Sequence, residues 1–105
     1  NGAILDNRTI DTRRCISCRT IEREGCTDDI TLDGWIFGCD ACQSVCPFNK
    51  HAPLHTNPRF DPRIDPYELS AERWLRMTDD EFSEMAATTP MTRSGLERIR
   101  GNIKK

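Results

Sequence analysis

Six cysteines in a chain of 105 residues constrain this protein more than any other feature. They stand at Cys15, Cys18, Cys26, Cys39, Cys42 and Cys46. Hydrophobic residues make up only 36% of the chain and charged residues 30%, so the core must be small. A single domain of this size buries a modest fraction of its surface, and a cofactor or a partner can be needed for its stability. The cysteines are therefore the first place to look for a cofactor.

The spacing of four of these cysteines fits a structural zinc site. Cys15-x2-Cys18 is followed after twenty residues by Cys39-x2-Cys42, a spacing that is typical of zinc ligands. Four thiolates around one zinc ion form a closed tetrahedral site. A zinc-binding structural or interaction module is thus one interpretation, although it leaves the Cys46-Pro47 pair without a role.

A disulfide scaffold is a second interpretation, because the number of cysteines is even and small secreted domains often depend on disulfides. We rank it lowest. Pairs of cysteines spaced C-x-x-C in a helix bridge poorly, and the chain carries more helix signals and less glycine than disulfide scaffolds usually show.

The stretch "GCDACQSVCPFN", residues 38–49, favours an iron–sulfur cluster. Bacterial ferredoxin motifs read C-x2-C-x2-C-x3-C-P, and in proteins with two clusters the cysteine before the proline binds the other cluster. Here the position three before Cys39 is Ile36, so the first ligand of the motif is missing and can come from Cys15. The opening "NGAI" is similar to the residues that follow Cys-Pro in a ferredoxin half. We therefore expect the chain to begin just after an upstream cluster motif. A stand-alone ferredoxin-type carrier would need a complete ligand set of its own.

Two stretches together resemble the iron–sulfur region of the epoxyqueuosine reductase family of tRNA-modifying enzymes. They are "DTRRCISCRTIEREG", residues 11–25, and "WIFGCDACQSVCPFNK", residues 35–50. The downstream "FDPR", "LRMTDDEFSEM" and "MTRSGLERIRGNI" are also similar to the family, so the resemblance covers nearly the whole chain. Two positions depart from the family pattern, since Cys18 replaces the usual Tyr and Phe48 replaces Trp.

The resemblance implies a role for four of the cysteines. Cys15, Cys39 and Cys42 match three ligands of one 4Fe-4S cluster, whose fourth ligand is expected upstream of this chain. Cys46 matches one ligand of a second 4Fe-4S cluster, whose other three ligands are also expected upstream. On this interpretation the chain by itself holds no complete ligand set. When the chain is isolated, we expect it to carry either no metal or a captured zinc ion.

The resemblance also implies a function for the parent protein. Electrons would pass through the two clusters to a cobalamin, bound by a catalytic domain in the upstream half of the same protein. The parent protein would be a cytoplasmic oxidoreductase that removes the epoxide oxygen of epoxyqueuosine in a tRNA anticodon loop. We expect no catalytic residue in the present chain. Cys26 matches no ligand position, and Cys18 is a substitute ligand or, like Cys26, an ordinary small thiol. No apolar run approaches membrane-spanning length, so we expect no membrane partner.

The fold is expected to be small and mainly α, part of a bacterial ferredoxin-like two-cluster domain followed by C-terminal helices. We divide the chain into a partial iron–sulfur segment (1–50), a proline-rich loop (51–69) and a helical segment (70–105). His51 and His55 lie in the loop, and each is expected at the surface rather than on a metal.

Local signals predict where the helices begin and end. A first helix is predicted from an N-cap at Asp11 to Gly25, and a second short helix would carry Cys39, Cys42 and Cys46 on one face. Three further helices are expected downstream. Their signals are an N-cap at Ser70, a capping box formed by Thr78 and Glu81, and an apolar face of Leu96, Ile99 and Ile103. Turn signals stand at Asp6-Asn7 and Asp33-Gly34, and we expect core packing for Trp35, Trp74 and Phe82.

The charge is unevenly placed along the chain. The formal net charge is −2, and the residues from Met91 onward contribute a net of +4, so residues 1–90 carry −6. The basic residues of this tail are Arg93, Arg98, Arg100, Lys104 and Lys105. Without other observations such a tail is a solvated helix face. The resemblance makes it a candidate surface for tRNA, because phosphates attract Arg and Lys.

Overall fold

The computed structural model describes residues 2–22 and 31–104. Within these ranges strand pairing is limited to one antiparallel bridge between Ile4 and Ile10. The bridge encloses a turn in which the Arg8 backbone N–H donates to the carbonyl oxygen of Leu5 at 2.9 Å. The expectation of a small, mainly α fold is confirmed, and so is the turn at Asp6-Asn7.

Five α-helices and three tighter or wider helical turns occur in the described ranges. The α-helices are α1 (Ala41–Ser44), α2 (Ala71–Arg76), α3 (Asp79–Ala86), α4 (Met91–Ser94) and α5 (Leu96–Ile103). The first turn, Cys18–Glu22, is a single π-helical turn and is called the π-turn below. Two 3-10 turns, Pro58–Phe60 and Pro66–Glu68, lie between α1 and α2.

The helices α2 and α3 begin where the sequence predicts. The Ser70 hydroxyl accepts a hydrogen bond from the backbone N–H of Arg73 at 3.2 Å and caps α2. Thr78 and Glu81 form a reciprocal capping box at the start of α3. These side chains satisfy backbone N–H groups that a helix start leaves without intrahelical partners. Both helices are therefore defined by contacts within one turn of the chain.

The hydrophobic core lies among the C-terminal helices. It consists of buried side chains from α2 to α5 and their junctions: Trp74, Met77, Phe82, Met85, Ala86, Leu96 and Ile99. The predicted apolar face of α5 is confirmed, with Leu96 and Ile99 buried and Ile103 packed against the cluster. Trp74 and Phe82 are in the core as expected, whereas Trp35 is only half-buried.

The predicted first helix is wrong at its beginning. Asp11 does not cap a helix that contains Cys15. It holds a tight turn instead, in which the Arg14 backbone N–H donates to the Asp11 carbonyl oxygen at 3.0 Å. Helical hydrogen bonding starts with Arg19, whose N–H donates to the carbonyl oxygen of Cys15 at 3.1 Å. The predicted end at Gly25 and the thiol of Cys26 lie outside the described residues.

The predicted helix with three cysteines on one face is also wrong. Only α1, a single turn, is helical, so Cys42 lies in it while Cys39 precedes it and Cys46 follows it. Gly38 before this turn has a φ of 71°, a left-handed conformation that no α-helix passes through. Pro47 after it disfavours helical backbone at Cys46.

The proline-rich stretch between α1 and α2 contains no α-helix, as expected. Its two 3-10 turns each begin with Pro after an Asn or Asp whose side chain accepts a backbone N–H, Asn57 in the first and Asp65 in the second. His51 and His55 are both exposed, as predicted. Within the described ranges, no helix has the length and apolar character needed to cross a bilayer.

Candidate iron–sulfur site

Cys15 lies half-buried between the tight turn at Asp11 and the π-turn. The Asp11 carboxylate accepts hydrogen bonds from the backbone N–H of Arg13 at 3.1 Å and from its Nε at 2.9 Å. The side-chain hydrogen bond from Arg13 holds the pKa of Asp11 below its usual range. Since the Cys15 carbonyl oxygen also accepts from Arg19, the backbone on both sides of this thiol is held by hydrogen bonds.

A buried arginine ties the two sides of Cys15 together. Arg19 is only 2% exposed, and its Nε donates to the carbonyl oxygen of Arg13 at 3.0 Å. Ile16 and Thr20 are buried beside it. A buried polar group is stable only when it is hydrogen-bonded. The bond from Arg19 to Arg13 is therefore favoured, and it links the two ends of the loop that carries Cys15.

Cys39 and Cys42 lie at the start of α1. Cys39 is half-buried directly after Gly38, and Cys42 is exposed within the helix. The helix is fixed at its base by Asp40, whose carbonyl oxygen accepts from the N–H of Ser44 at 2.8 Å and from its hydroxyl at 3.0 Å. The short helix therefore presents Cys42 toward solvent, and the turn before it holds Cys39 closer to the protein.

Cys46 sits in a hydrogen-bonded turn of its own. Its backbone N–H donates to the carbonyl oxygen of Gln43 at 3.2 Å, and its carbonyl oxygen accepts from the N–H of Asn49 at 3.0 Å. The Asn49 side chain returns to Gln43 and donates to Oε1 at 2.7 Å. Cys46 is half-buried. This local network connects the turn of Cys46 to Gln43 of α1.

The two cysteine segments are joined through buried polar contacts. The Thr20 hydroxyl lies 3.3 Å from the carbonyl oxygen of Gly38, the residue before Cys39. Asn102 of α5 donates from Nδ2 to the carbonyl oxygens of Thr20 at 3.2 Å and Ile36 at 2.9 Å. The segment with Cys15 and the segment with Cys39 therefore meet at the C-terminal helix.

None of the five cysteines in the described ranges is in a disulfide. In the same ranges, no group of three or more His, Cys, Asp or Glu side chains comes together in a way that could hold a metal ion. The Cys15 and Cys39 segments are thus in contact. The side chains in the described ranges do not form a complete set of metal ligands.

The donor set fits a 4Fe-4S cluster in its chemistry. Such clusters are held by cysteine thiolates, and the chain offers unpaired, half-buried or exposed thiols at all four predicted positions, Cys15, Cys39, Cys42 and Cys46. These residues would hold the clusters together with ligands from outside the chain. The assignment of each thiol to a cluster stays a prediction.

Comparisons with known proteins agree with this chemistry. Residues 1–49 match a protein family described as a 4Fe-4S double cluster binding domain. An epoxyqueuosine reductase from Cyclobacterium marinum is 36% identical over an alignment 104 residues long, which covers 96% of this chain and 33% of that protein. The epoxyqueuosine reductase of Escherichia coli is 38% identical over an alignment 89 residues long, which covers 74% of this chain and 24% of that protein.

A solved structure of epoxyqueuosine reductase from Bacillus subtilis has the same fold over this region. It superimposes with a TM-score of 0.82 and 30% sequence identity, covering 97% of this chain and 28% of that one. The chain matches the iron–sulfur part of the epoxyqueuosine reductase family. It spans about a third or less of the length of the epoxyqueuosine reductases to which it is similar.

The match of residues 1–49 to the 4Fe-4S double cluster binding domain decides between the interpretations of the cysteines. The 4Fe-4S interpretation is confirmed for the segment. A disulfide scaffold has no support in the described cysteines. The zinc interpretation of the C-x2-C pairs rests on spacing alone and does not account for Cys46-Pro47, which lies within the matched double-cluster domain.

The basic residues at the C-terminal end fall into two groups. Arg98 and Arg100 are half-buried and bind other parts of the chain: Arg98 donates to the carbonyl oxygen of Ile21 at 3.0 Å, and Arg100 to that of Met77. Arg93 is largely exposed and pairs with Glu22 at 2.6 Å, and Lys104 is exposed. Lys105 lies outside the described residues.

Sequence reasoning missed Asn102, although the sequence contains a signal for it. Asn competes with helical hydrogen bonding and is uncommon inside helices. Asn102 nevertheless follows Ile99 by three residues, so it shares the buried side of α5. An Asn on an apolar helix face must find partners for its amide, and here the partners are backbone carbonyls of both cysteine segments.

Proposed function

We propose that this chain supplies thiolate ligands to two 4Fe-4S clusters of an enzyme that reduces epoxyqueuosine in tRNA. Cys15, Cys39 and Cys42 contribute to one cluster, and Cys46 contributes to the other. The observation that carries the proposal is the match of residues 1–49, which contain all four cysteines, to the 4Fe-4S double cluster binding domain. A 4Fe-4S cluster supplies one-electron transfer when it is bound.

The chain's own residues support that role by fixing the backbone around the ligands. Asp11 and Arg19 hold the loop of Cys15, and the Gln43–Asn49 pair holds the turn of Cys46. A rigid ligand backbone lowers the reorganisation that accompanies binding of a cofactor. We assign residues 1–50 to ligand binding, 51–69 to a connecting loop and 70–105 to the helical support of the site.

We infer the substrate from the relatives' name, and the second cofactor and the location from the resemblance. The parent enzyme would act in the cytoplasm on the anticodon region of tRNA, and cobalamin would be bound outside this chain. Exposed basic side chains near the last helix, Arg93 and Lys104, would add attraction for RNA phosphates. No residue of this chain is assigned to the catalytic chemistry.

The test is single cysteine-to-serine substitution in the whole protein that contains this chain. Two 4Fe-4S clusters hold about eight iron atoms in total. We expect Cys15→Ser, Cys39→Ser and Cys42→Ser to remove about half of the iron and sulfide, and Cys46→Ser to remove about the other half. Iron and sulfide analysis, together with visible absorption, measures the loss.

Cys18→Ser is the matched control, because it lies within the same segment but stands where the family usually has Tyr. The iron–sulfur proposal expects an unchanged iron content in this variant. A zinc module would show the reverse pattern, since four-thiolate zinc binding uses Cys18 and leaves Cys46 out. Zinc in place of iron, lost with Cys18→Ser and kept with Cys46→Ser, would overturn the proposal.

A further inference from the structure

The side chain of Asn102 connects three parts of the chain that are far apart in sequence. We propose that Asn102 is a positioning residue for the iron–sulfur ligands, setting the spacing between the segment of Cys15 and the segment of Cys39. The proposal rests on the ligand role proposed above for these two cysteines. It makes the last helix a part of the cluster site although that helix carries no cysteine.

The hydrogen bonds of Asn102 use both N–H groups of its amide on different segments. One acceptor is the carbonyl oxygen of Thr20, at 3.2 Å, and the other is that of Ile36, at 2.9 Å. Thr20 lies five residues after Cys15, and Ile36 lies three residues before Cys39. A primary amide has two N–H donors on one nitrogen, so a single side chain holds the two backbones at a fixed separation.

Burial makes this connection hard to replace. Asn102 is 4% exposed and Thr20 is fully buried, so water has little access to the hydrogen bond between them, and the bond to Ile36 is partly buried. Loss of a donor leaves a buried acceptor unsatisfied, which is unfavourable because the acceptor gave up its hydrogen bonds to water on folding. Leucine has a similarly branched but larger side chain with no donor, and aspartate would put carboxylate oxygens against carbonyl oxygens.

A second contact joins the same two segments closer to Cys39. The Thr20 hydroxyl lies 3.3 Å from the carbonyl oxygen of Gly38 and also within reach of the Ile16 carbonyl oxygen, at 3.0 Å. A hydroxyl donates one proton, so this contact is shared and weaker than the pair made by Asn102. The two contacts together hold the stretch from Ile36 to Gly38 at both of its ends.

The π-turn that carries Thr20 is held to the last helices by further contacts. Arg98 of α5 donates to the carbonyl oxygen of Ile21 at 3.0 Å, and Arg93 of α4 pairs with Glu22 at 2.6 Å. On the other side, Ile36 packs against the hydrophobic core that includes Ile99. The last helices therefore act as the common support against which both cysteine segments are aligned, with Asn102 in contact with both.

The experiment measures how close Cys15 and Cys39 are held, without any metal. In the full chain with the other four cysteines changed to serine, the equilibrium of the Cys15–Cys39 disulfide with a glutathione buffer gives the effective concentration of one thiol near the other. We expect Asn102→Leu to lower this effective concentration about ten-fold, the change that corresponds to about 1.4 kcal/mol.

Ile99→Ala is the matched control, since Ile99 lies one turn away on the same helix, is fully buried and touches the core. A substitution that only weakens the fold should act alike at both positions. We expect Ile99→Ala to change the effective concentration less than two-fold while lowering the urea midpoint at least as much as Asn102→Leu does. Equal effects of the two variants on the thiol equilibrium would overturn the positioning role.

Asn102→Ser serves if Asn102→Leu does not fold. The serine hydroxyl donates a single proton, so at most one of the two carbonyl oxygens keeps a bond, and we expect a two- to three-fold decrease in effective concentration. An unchanged value would overturn the proposal. Because this measurement uses no iron, it can fail while the cysteine-to-serine test succeeds, or succeed while that test fails.

Discussion

Arg98 donates a hydrogen bond from Nη1 to the backbone carbonyl oxygen of Ile21, at 3.0 Å. The contact joins α5 to the π-turn across 77 residues of sequence. Arg100 is used in a similar way, because its side chain donates to the carbonyl oxygen of Met77 and pairs with Glu97. Two of the arginines that make the C-terminal end basic are therefore structural, and they are poor choices for a test of RNA binding.

The exposed basic residues give a cleaner test of tRNA binding. We expect Arg93→Ala combined with Lys104→Ala, in the whole protein, to weaken tRNA binding and to lower the slope of log K against log salt by about two, one for each lost phosphate contact. Filter binding or fluorescence anisotropy at several salt concentrations measures both. Arg76→Ala is the control, since Arg76 is an exposed arginine of α2 that pairs with Glu72. An unchanged salt slope in the double variant would leave these residues as a solvated surface.

The buried tryptophan of α2 is expected to dominate the stability of the helical segment. Trp74 is 1% exposed and packs in the core. We expect Trp74→Ala to lower the free energy of unfolding by about 3–5 kcal/mol, through lost burial and the cavity that remains. Leu75→Ala is the neighbouring control, because Leu75 is 37% exposed, and we expect a loss of about 1 kcal/mol or less. Urea denaturation followed by circular dichroism measures both, and similar losses would contradict this account of the core.

The capping box of α3 should make stability depend on pH in the acid range. Hydrogen bonds from Arg73 and from the backbone N–H of Thr78 lower the pKa of Glu81 from 4.5 to about 2. A carboxyl with a lower pKa in the folded state stabilises the fold above the pKa of the unfolded state. This contribution is therefore fully present above about pH 4.5 and is lost as the pH falls toward 2.

The measurement compares urea midpoints of variants from pH 6 down to the acid range. We expect Glu81→Gln to flatten the decrease between about pH 4.5 and 2, because the amide does not titrate. Glu84→Gln, at an exposed position of the same helix, should keep the decrease of the parent chain. A steep decrease that survives in Glu81→Gln would assign it to other carboxyls.

The metal content of the isolated chain is a further prediction. On the ligand assignment proposed above, one cluster takes three of its four ligands from this chain and the other takes one, so we expect the chain purified alone to contain zinc or no metal rather than iron. Captured zinc would use Cys15, Cys18, Cys39 and Cys42. Plasma emission analysis should then show zinc that decreases in Cys18→Ser and persists in Cys46→Ser. About eight iron atoms with matching sulfide would contradict the incomplete ligand set.

The sequence predicted well those features that depend on contacts within one helical turn. Ser70 caps α2, and Thr78 with Glu81 caps α3, through hydrogen bonds between residues three apart. The turn at Asp33-Gly34 is formed with both residues at positive φ, as its dipeptide indicates. Such contacts are visible in the sequence because the partners lie side by side in it.

The cysteine helices were predicted less well, although the reasons were also local. Gly38 and Pro47 limit helix α1 to one turn, so the period of Cys39, Cys42 and Cys46 does not make a helix face. The Asp11 carboxylate accepts a hydrogen bond from the backbone N–H of Arg13 and stabilises a turn where the sequence predicts the start of a helix. In both cases a residue that breaks or redirects the backbone outweighed the spacing of the cysteines.

By itself, the sequence determined the chemistry of the protein: which thiols are available, where the caps are, and that Cys46-Pro47 belongs to a cluster motif. Only the tertiary structure decided how the cysteine segments are held together. The contacts of Asn102 span 82 and 66 residues, and no local pattern specifies such partners. The hydrophobic cluster described in this chain lies among the C-terminal helices, and Ile36 of the Cys39 segment packs against it. The mutual position of the two segments therefore follows from packing and hydrogen bonds that form only when the whole chain folds.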